Sequence, residues 1–231
     1  MLSTELKTQI QGAYSRFLEA KSLKPRYGQR LMIAEIAKVL GTIKTDDEGK
    51  RSSDAAVVAV EAGTGTGKTV AYCLAAIPTA KAAGKRLVIA TATVALQEQI
   101  VHKDLPDLMR NSGLNFSFAL AKGRGRYLCL SKLDLLLQEG DAQSATAQLF
   151  EEEGFKIDVD EQSQKLFTSM IEKLAGNKWD GDRDSWPQEL ADNDWARLTT
   201  DHSQCTNRHC PNFQQCAFYK AREGMGKVDV I

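Results

Sequence analysis

The sequence predicts an α/β fold built on a parallel sheet and interrupted by a mostly helical insertion, and three observations lead there. Residues 55–62, AAVVAVEA, form an uninterrupted β-branched and alanine-rich run of strand length, the pattern of a parallel strand buried on both faces. The glycine-rich stretch GTGTGKT follows, then a helix-forming segment from Val70 to Gly84 and a second apolar run, RLVIATAT, at 86–93. Strand, loop, helix and strand in this order make the βαβ unit of a parallel sheet. The third observation is the distribution of charge. Thirty Lys+Arg balance thirty Asp+Glu, yet residues 134–201 hold 17 acidic and 6 basic side chains while the rest hold 13 and 24. A separately built acidic segment inside a basic chain is the expectation.

The elements follow in order. Leu6, Ile10, Tyr14, Phe17 and Leu18 recur at spacings of three and four and predict an amphipathic helix from Ser3 to Ala20. Leu31, Ile33, Ala34, Ile36, Ala37, Val39 and Leu40 predict a second helix that stops at Gly41, before the polar loop TDDEGKRSSD. After the two apolar runs, the helical VALQEQIVHK and a short strand near Phe116–Leu120 lead to the basic loop AKGRGRYLC. The acidic stretch contains helical patches at Leu133–Gln138 and Lys165–Leu174, a polar segment with three tryptophans and no clear strand. KVDVI at the end reads as another buried strand. The expected division is 1–121, an inserted 122–224, and 225–231 returning to the first part.

Composition narrows the class. With 231 residues, 42% hydrophobic and 26% charged, the chain is an ordinary globular protein, and collagen-like, mucin-like or wholly disordered readings are excluded. No run approaches the ~18 apolar residues of a membrane span, and MLSTELKTQIQG has neither a basic nor an apolar leader region. A cytoplasmic protein with no membrane partner is expected.

Ala62, Gly63, Thr64, Gly65, Thr66, Gly67, Lys68 and Thr69 fit a phosphate-binding loop between strand and helix. Glycines let backbone amides turn inward around phosphates, Lys68 reaches the outer phosphates, and the Thr69 hydroxyl suits Mg²⁺ at the helix N-terminus. Ala62 stands where the strict pattern has glycine. The acidic residue that hydrolysis requires at the end of a later strand is missing, and the nearest match, FKIDVDEQ at 155–162, reads as a solvated face.

Five cysteines are present. Cys73, inside the apolar helix after the loop, reads as core. Cys129 follows the basic loop, and Cys205, Cys210 and Cys216 are spaced x4 and x5. Four thiolates can surround a metal centre, but the spacing matches neither common zinc sites nor small ferredoxins, and His202 and His209 nearby keep zinc open beside iron–sulfur.

Taken together, PRYGQRLMI, EAGTGTGKT, RLVIATATVALQEQI and GRGRYLC followed by C-x4-C-x5-C resemble the XPD-like iron–sulfur helicases of superfamily 2, over nearly the whole chain. The resemblance implies a RecA-like P-loop motor domain 1 with an incomplete parallel sheet and an inserted, mostly helical [4Fe-4S] domain. Arg26 and Gln29 match the segment that reads adenine of ATP; Ala62 to Thr69 match the nucleotide loop, where alanine at the head is common; and Lys68 and Thr69 would be its catalytic residues. Thr91, Thr93 and Gln97 match a segment that touches single-stranded DNA, and Cys129, Cys205, Cys210 and Cys216 match the four cluster ligands. Lys122, Arg124 and Arg126 with Tyr127 place three cations and an aromatic beside the first ligand, which suits phosphate contact and base stacking. The acidic stretch would repel DNA and confine it to one face.

Relatives in this family continue into an Asp-Glu-Ala-His box and a second motor domain that this sequence lacks. The expectation is therefore the N-terminal portion of a monomeric 5′-to-3′ DNA helicase acting on duplexes with single-stranded tails, able to bind nucleotide weakly and hydrolyse it hardly at all alone. Its uncovered sheet edge should lower solubility. Two rivals remain: a non-catalytic, cluster-containing DNA-binding redox module with a vestigial loop, and a zinc-containing P-loop protein.

Overall fold

The computed structural model describes residues 2–141 and 161–231, without side-chain detail from 138 to 141. The FKIDVDEQ segment up to Asp160 lies outside the described residues. The chain divides into two compact units, residues 1–120 with 224–231 and residues 121–223. Among the described residues no helix is long and apolar enough to cross a membrane.

The first unit is organised by four helical segments. Helix α1, Thr4–Ala20, begins where the Ser3 side chain accepts from the Leu6 amide at 3.1 Å, and it buries Leu6, Ile10, Ala13, Tyr14, Phe17 and Leu18 as its spacing predicts. Helix α2 spans Tyr27–Leu40, a turn earlier than the apolar pattern alone suggests. Helix α3, Lys68–Ala82, is different in kind. Ala71, Cys73, Leu74, Ala75, Ala76 and Ile77 are all buried, so it has little solvent face over its middle turns and packs against both α1 and α2. Its small alanines allow that close approach. Cys73 is core, and burial, with a smaller push from Asp104, raises its thiol to about 12.

Helix α4, Val94–Gln99, runs through a wide π turn at Ile100–Asp104 into α5, Leu105–Ser112, which packs on α1. Pro106 explains the turn. It has no N–H to return to the preceding turn, and the Leu105 amide instead bonds back to the Ile100 carbonyl.

The sheet departs from expectation. Residues 229–231 lie between two parallel partners, with Leu87 N–H donating to Asp229 O at 2.9 Å, Ile89 N–H to Ile231 O at 2.8 Å, and Ala119 N–H to Val230 O at 3.0 Å. These are short bridges rather than continuous strands. Val230 is fully buried, but Val88 is 68% exposed, so the 86–93 run is not covered on both faces. The first predicted strand, 55–62, has no ladder partner among the described residues, and Val57 is 82% exposed. Its β-branched composition fits a buried strand, but composition cannot form a strand without a neighbour to receive its backbone hydrogen bonds.

The second unit has its own core. Helices α6, Leu130–Asp141, α7, Glu161–Ala175, and α8, Asp192–Leu198, surround Leu128, Leu133, Leu136, Phe167, Met170 and Leu198. All three tryptophans join this core: Trp179 and Trp186 pack edge to face with ring centres 4.8 Å apart, and Trp195 Nε1 donates to Gly125 O at 2.7 Å. Helix α9, Ala217–Arg222, follows the last cysteine.

Asp229 ties the central bridge together, accepting from the Ser117 amide at 2.7 Å, the Ser117 hydroxyl at 3.1 Å and Lys81 at 3.2 Å. The Ser117 amide foremost, over a small opposing effect of burial, and then Lys81 hold its carboxyl below the usual range. A lowered folded value makes this stabilisation present above the ordinary aspartate value of about 3.9 and lost as pH falls through the folded one. Asp229→Asn should therefore cost about 1 kcal/mol near neutrality, with the difference from wild type closing below about pH 4, in urea melts across pH.

Candidate functional site

The glycine loop sits at the N-terminus of α3. Gly65 and Gly67 adopt positive φ, +78° and +76°, and a Cβ on Gly67 would stand 2.1 Å from Gln29 Nε2. The left-handed dihedral favours glycine there, and any side chain would also have to displace the end of the Gln29 side chain. Lys68 folds back onto its own loop, donating to Ala62 O at 2.8 Å and Gly63 O at 3.0 Å, and Thr66 Oγ1 donates to Gly63 O at 2.8 Å. One turn along α3, the Tyr72 phenol is pushed up mainly by burial, with Thr69 pulling it the other way.

Arg26 and Gln29, some forty residues upstream, are brought onto this loop. Arg26 donates to Gly65 O at 2.9 Å and Gln29 Nε2 lies 3.4 Å from Gly67 O. Tyr14, which sequence reading treated only as core, orients both: its hydroxyl donates to Gln29 Oε1 at 3.2 Å and accepts from the Arg26 amide at 3.3 Å. A lone tyrosine on an apolar stripe gives no sequence signal of that role.

Thr91, Thr93 and Gln97 gather at the start of α4. Thr93 caps the helix through Leu96 N–H at 3.3 Å, Thr91 donates to Thr93 O at 3.2 Å, and Gln97 N–H bonds back to Thr93 O at 3.2 Å.

In the second unit the four distant cysteines line one recess. Cys129, Cys205, Cys210 and Cys216 line a recess of about 30 Å³ with Leu128, Phe213, Phe218 and Tyr219 among its walls. His202 and His209 are not among the lining residues. No disulfide links any of the five cysteines. Cys129 sits just before α6; burial raises its thiol, while the Ser131 and Lys132 amides pull it the other way. Among the described residues no three His, Cys, Asp or Glu side chains close on a point where a single ion would sit.

The basic loop turns inward. Lys122 is 5% exposed, with Nζ 2.7 Å from Asp182 and 2.8 Å from Asp184. Arg126 pairs with Asp184. Tyr127 is buried against Phe218, ring centres 5.8 Å apart. Arg124 donates to Cys205 Sγ at 2.8 Å. The geometry therefore departs from the sequence expectation that Lys122 and Tyr127 offer themselves to DNA: both are committed to the packing of this unit. Asp182 and Asp184, sixty residues away in the acidic stretch, neutralise cations instead of forming a purely repulsive face.

Residues 41–148 match the DEAD/DEAH box helicase family. Similarity to that family points to a RecA-like fold, of which the described residues hold the helices and short parallel bridges rather than continuous strands. The whole chain is 40% identical to the ATP-dependent DNA helicase DinG of Photobacterium profundum, 31% of whose length it covers. It is 36% identical to the DinG helicases of Escherichia coli K12 and Salmonella typhimurium, covering 30% of each. The chain thus spans about a third of the length of the curated relatives it matches.

Removing a carboxylate from the buried pair should be costly, since Lys122 would keep its charge with one partner fewer. Asp182→Ala should destabilise the second unit by about 3 kcal/mol, read from tryptophan fluorescence in a denaturant titration, because all three tryptophans belong to that unit.

Proposed function

We propose that this chain is the nucleotide-binding portion of an ATP-dependent 5′-to-3′ DNA helicase whose second unit holds a [4Fe-4S] cluster on Cys129, Cys205, Cys210 and Cys216. The observation that carries the reading is the recess: thiols from position 129 and from 205–216 face one space, and neither nearby histidine joins them. The thiols rim a space instead of meeting at a point, which suits a group that binds each through a different iron. Such a cluster supplies a rigid cross-link and a one-electron centre when bound.

The loop supports the nucleotide half. Lys68 is held by two carbonyls that a phosphate would replace, since a triphosphate gives the ammonium stronger, charge-assisted partners. Thr69, in the first turn of α3, is the residue we assign to Mg²⁺, whose charge would offset the phosphates. Arg26 and Gln29 then stand beside the loop to read the base, with Tyr14 fixing their orientation. Thr91, Thr93 and Gln97 are the residues we assign to single-stranded DNA; in the second unit the inward turn of the basic loop leaves Arg126, paired but partly exposed, as the cation for that role.

Two measurements check this. Anaerobically purified chain should contain about four iron and four sulfide, both lost in Cys205→Ser, whereas one zinc and no colour would overturn the cluster reading. Calorimetry should show Mg²⁺-dependent ATP binding that falls at least ~10-fold in Gly67→Ala, where the added Cβ meets both a left-handed backbone and Gln29; equal binding by both proteins would refute the role of the loop.

A further inference from the structure

We infer that Arg124 sets the charge balance of the cysteine recess, raising the reduction potential of the iron–sulfur group that Cys205 would help to hold. This rests on the cluster reading above. Among the described residues that line the recess, Arg124 alone has a side chain that is always charged; the others, cysteines apart, are apolar, aromatic, hydroxyl or amide. No carboxylate lines it. Apart from the cysteines themselves, its charge therefore meets no opposing charge among the lining residues.

The guanidinium is held from several sides. One nitrogen donates to Cys205 Sγ at 2.8 Å and another to Asn207 Oδ1 at 3.3 Å. Its carbon lies 4.2 Å from the centre of the Phe218 ring and 5.4 Å from that of Tyr219. Asn207 is itself fixed, accepting from the Tyr219 hydroxyl at 2.7 Å, and its amide lies 3.4 Å from the same Cys205 sulfur. Cys205 thus receives a cationic and a neutral donor.

Four thiolates around the iron–sulfur core leave net negative charge, and one more electron adds to it in an apolar recess. The step is a one-electron reduction: an external one-electron reductant delivers the electron, one iron passes formally from ferric to ferrous, no bond forms or breaks, and Arg124 keeps its proton. A cation hydrogen-bonded to a ligand sulfur favours the more negative, reduced form. Replacing it with a neutral donor should disfavour reduction.

The test is a dye-mediated redox titration of anaerobically purified wild type, Arg124→Gln and Arg124→Lys, with iron and sulfide measured on each. Arg124→Gln keeps a donor but loses the charge, and its reduction equilibrium should move about tenfold against the reduced state, which is about 59 mV for a one-electron couple. Arg124→Lys, retaining the charge, should stay within about threefold of wild type. A fully loaded Arg124→Gln at the wild-type potential, or a Lys variant shifted as far as Gln, would overturn the proposal and leave Arg124 a clamp on the 205–207 turn. Should Arg124→Gln fail to load, Arg124→Met decides, since it also removes the charge while filling the space over the Phe218 ring: a loaded variant with a lowered potential supports the inference and one at the wild-type potential refutes it. Wild type with no iron would remove the cluster reading itself, a distinct outcome from a loaded wild type with insensitive variants.

Discussion

Burial of α3 is the constraint on which the first unit depends. A helix with almost no solvent face in its middle turns can neither rotate nor slide without opening contacts to α1 and α2, because close-packed interiors resist small displacements. Its first residue is Lys68, so the position of the glycine loop is set by packing a turn or two away. The same packing presents Tyr14 of α1 and Gln29 of α2 to the loop. The glycine loop is thereby mounted on a fixed base, and the residues that flank it arrive from the two helices that hold that base still.

The second unit solves a different problem. It has few periodic apolar stripes, and much of its core comes from three tryptophans on short turns and a seven-residue helix. Large aromatic rings compensate for short elements because each buries far more surface than an aliphatic side chain. Charge is arranged to match. Lys122 and Arg126 enter an acidic environment and are neutralised there, Arg183 pairs with Asp192, and Arg124 alone of the basic-loop cations is turned to a sulfur. The opposite charges of the loop and the acidic stretch are complementary within one unit.

Local features were legible in sequence and long-range pairings were not. The α1 stripe appeared as its spacing foretold because a 3.6-residue period depends only on near neighbours. The glycine loop was legible for a similar reason: its residue types state a backbone conformation, and Gly65 and Gly67 adopt it. The partnership of Lys122 with Asp182 carries no such mark, since nothing in a charge sixty residues away announces that it will be buried. Cysteine spacing shows the middle case. It marked four thiols as a set but left zinc and iron–sulfur both open, and what only the structure adds is that the four line one recess with both histidines outside its lining.

The run at 55–62 shows the limit most directly. Its β-branched residues state what such a strand would bury, and in that sense the pattern is sound. A strand, however, is defined by the neighbour that receives its hydrogen bonds, and no described residue is that neighbour. Residues 87–89 and 117–119 fare better because 229–231 runs between them and pairs with both. Composition thus reports the demand for a sheet, and only topology can supply it. With Val57, Val58 and Val60 presented to solvent immediately before the loop, the first unit holds a formed helix behind its glycine loop and an unpaired apolar segment ahead of it. The loop is therefore anchored by α3 and by Arg26 and Gln29 rather than by a paired strand, and Lys68 is left bonding to the carbonyls of Ala62 and Gly63 where the unpaired segment ends.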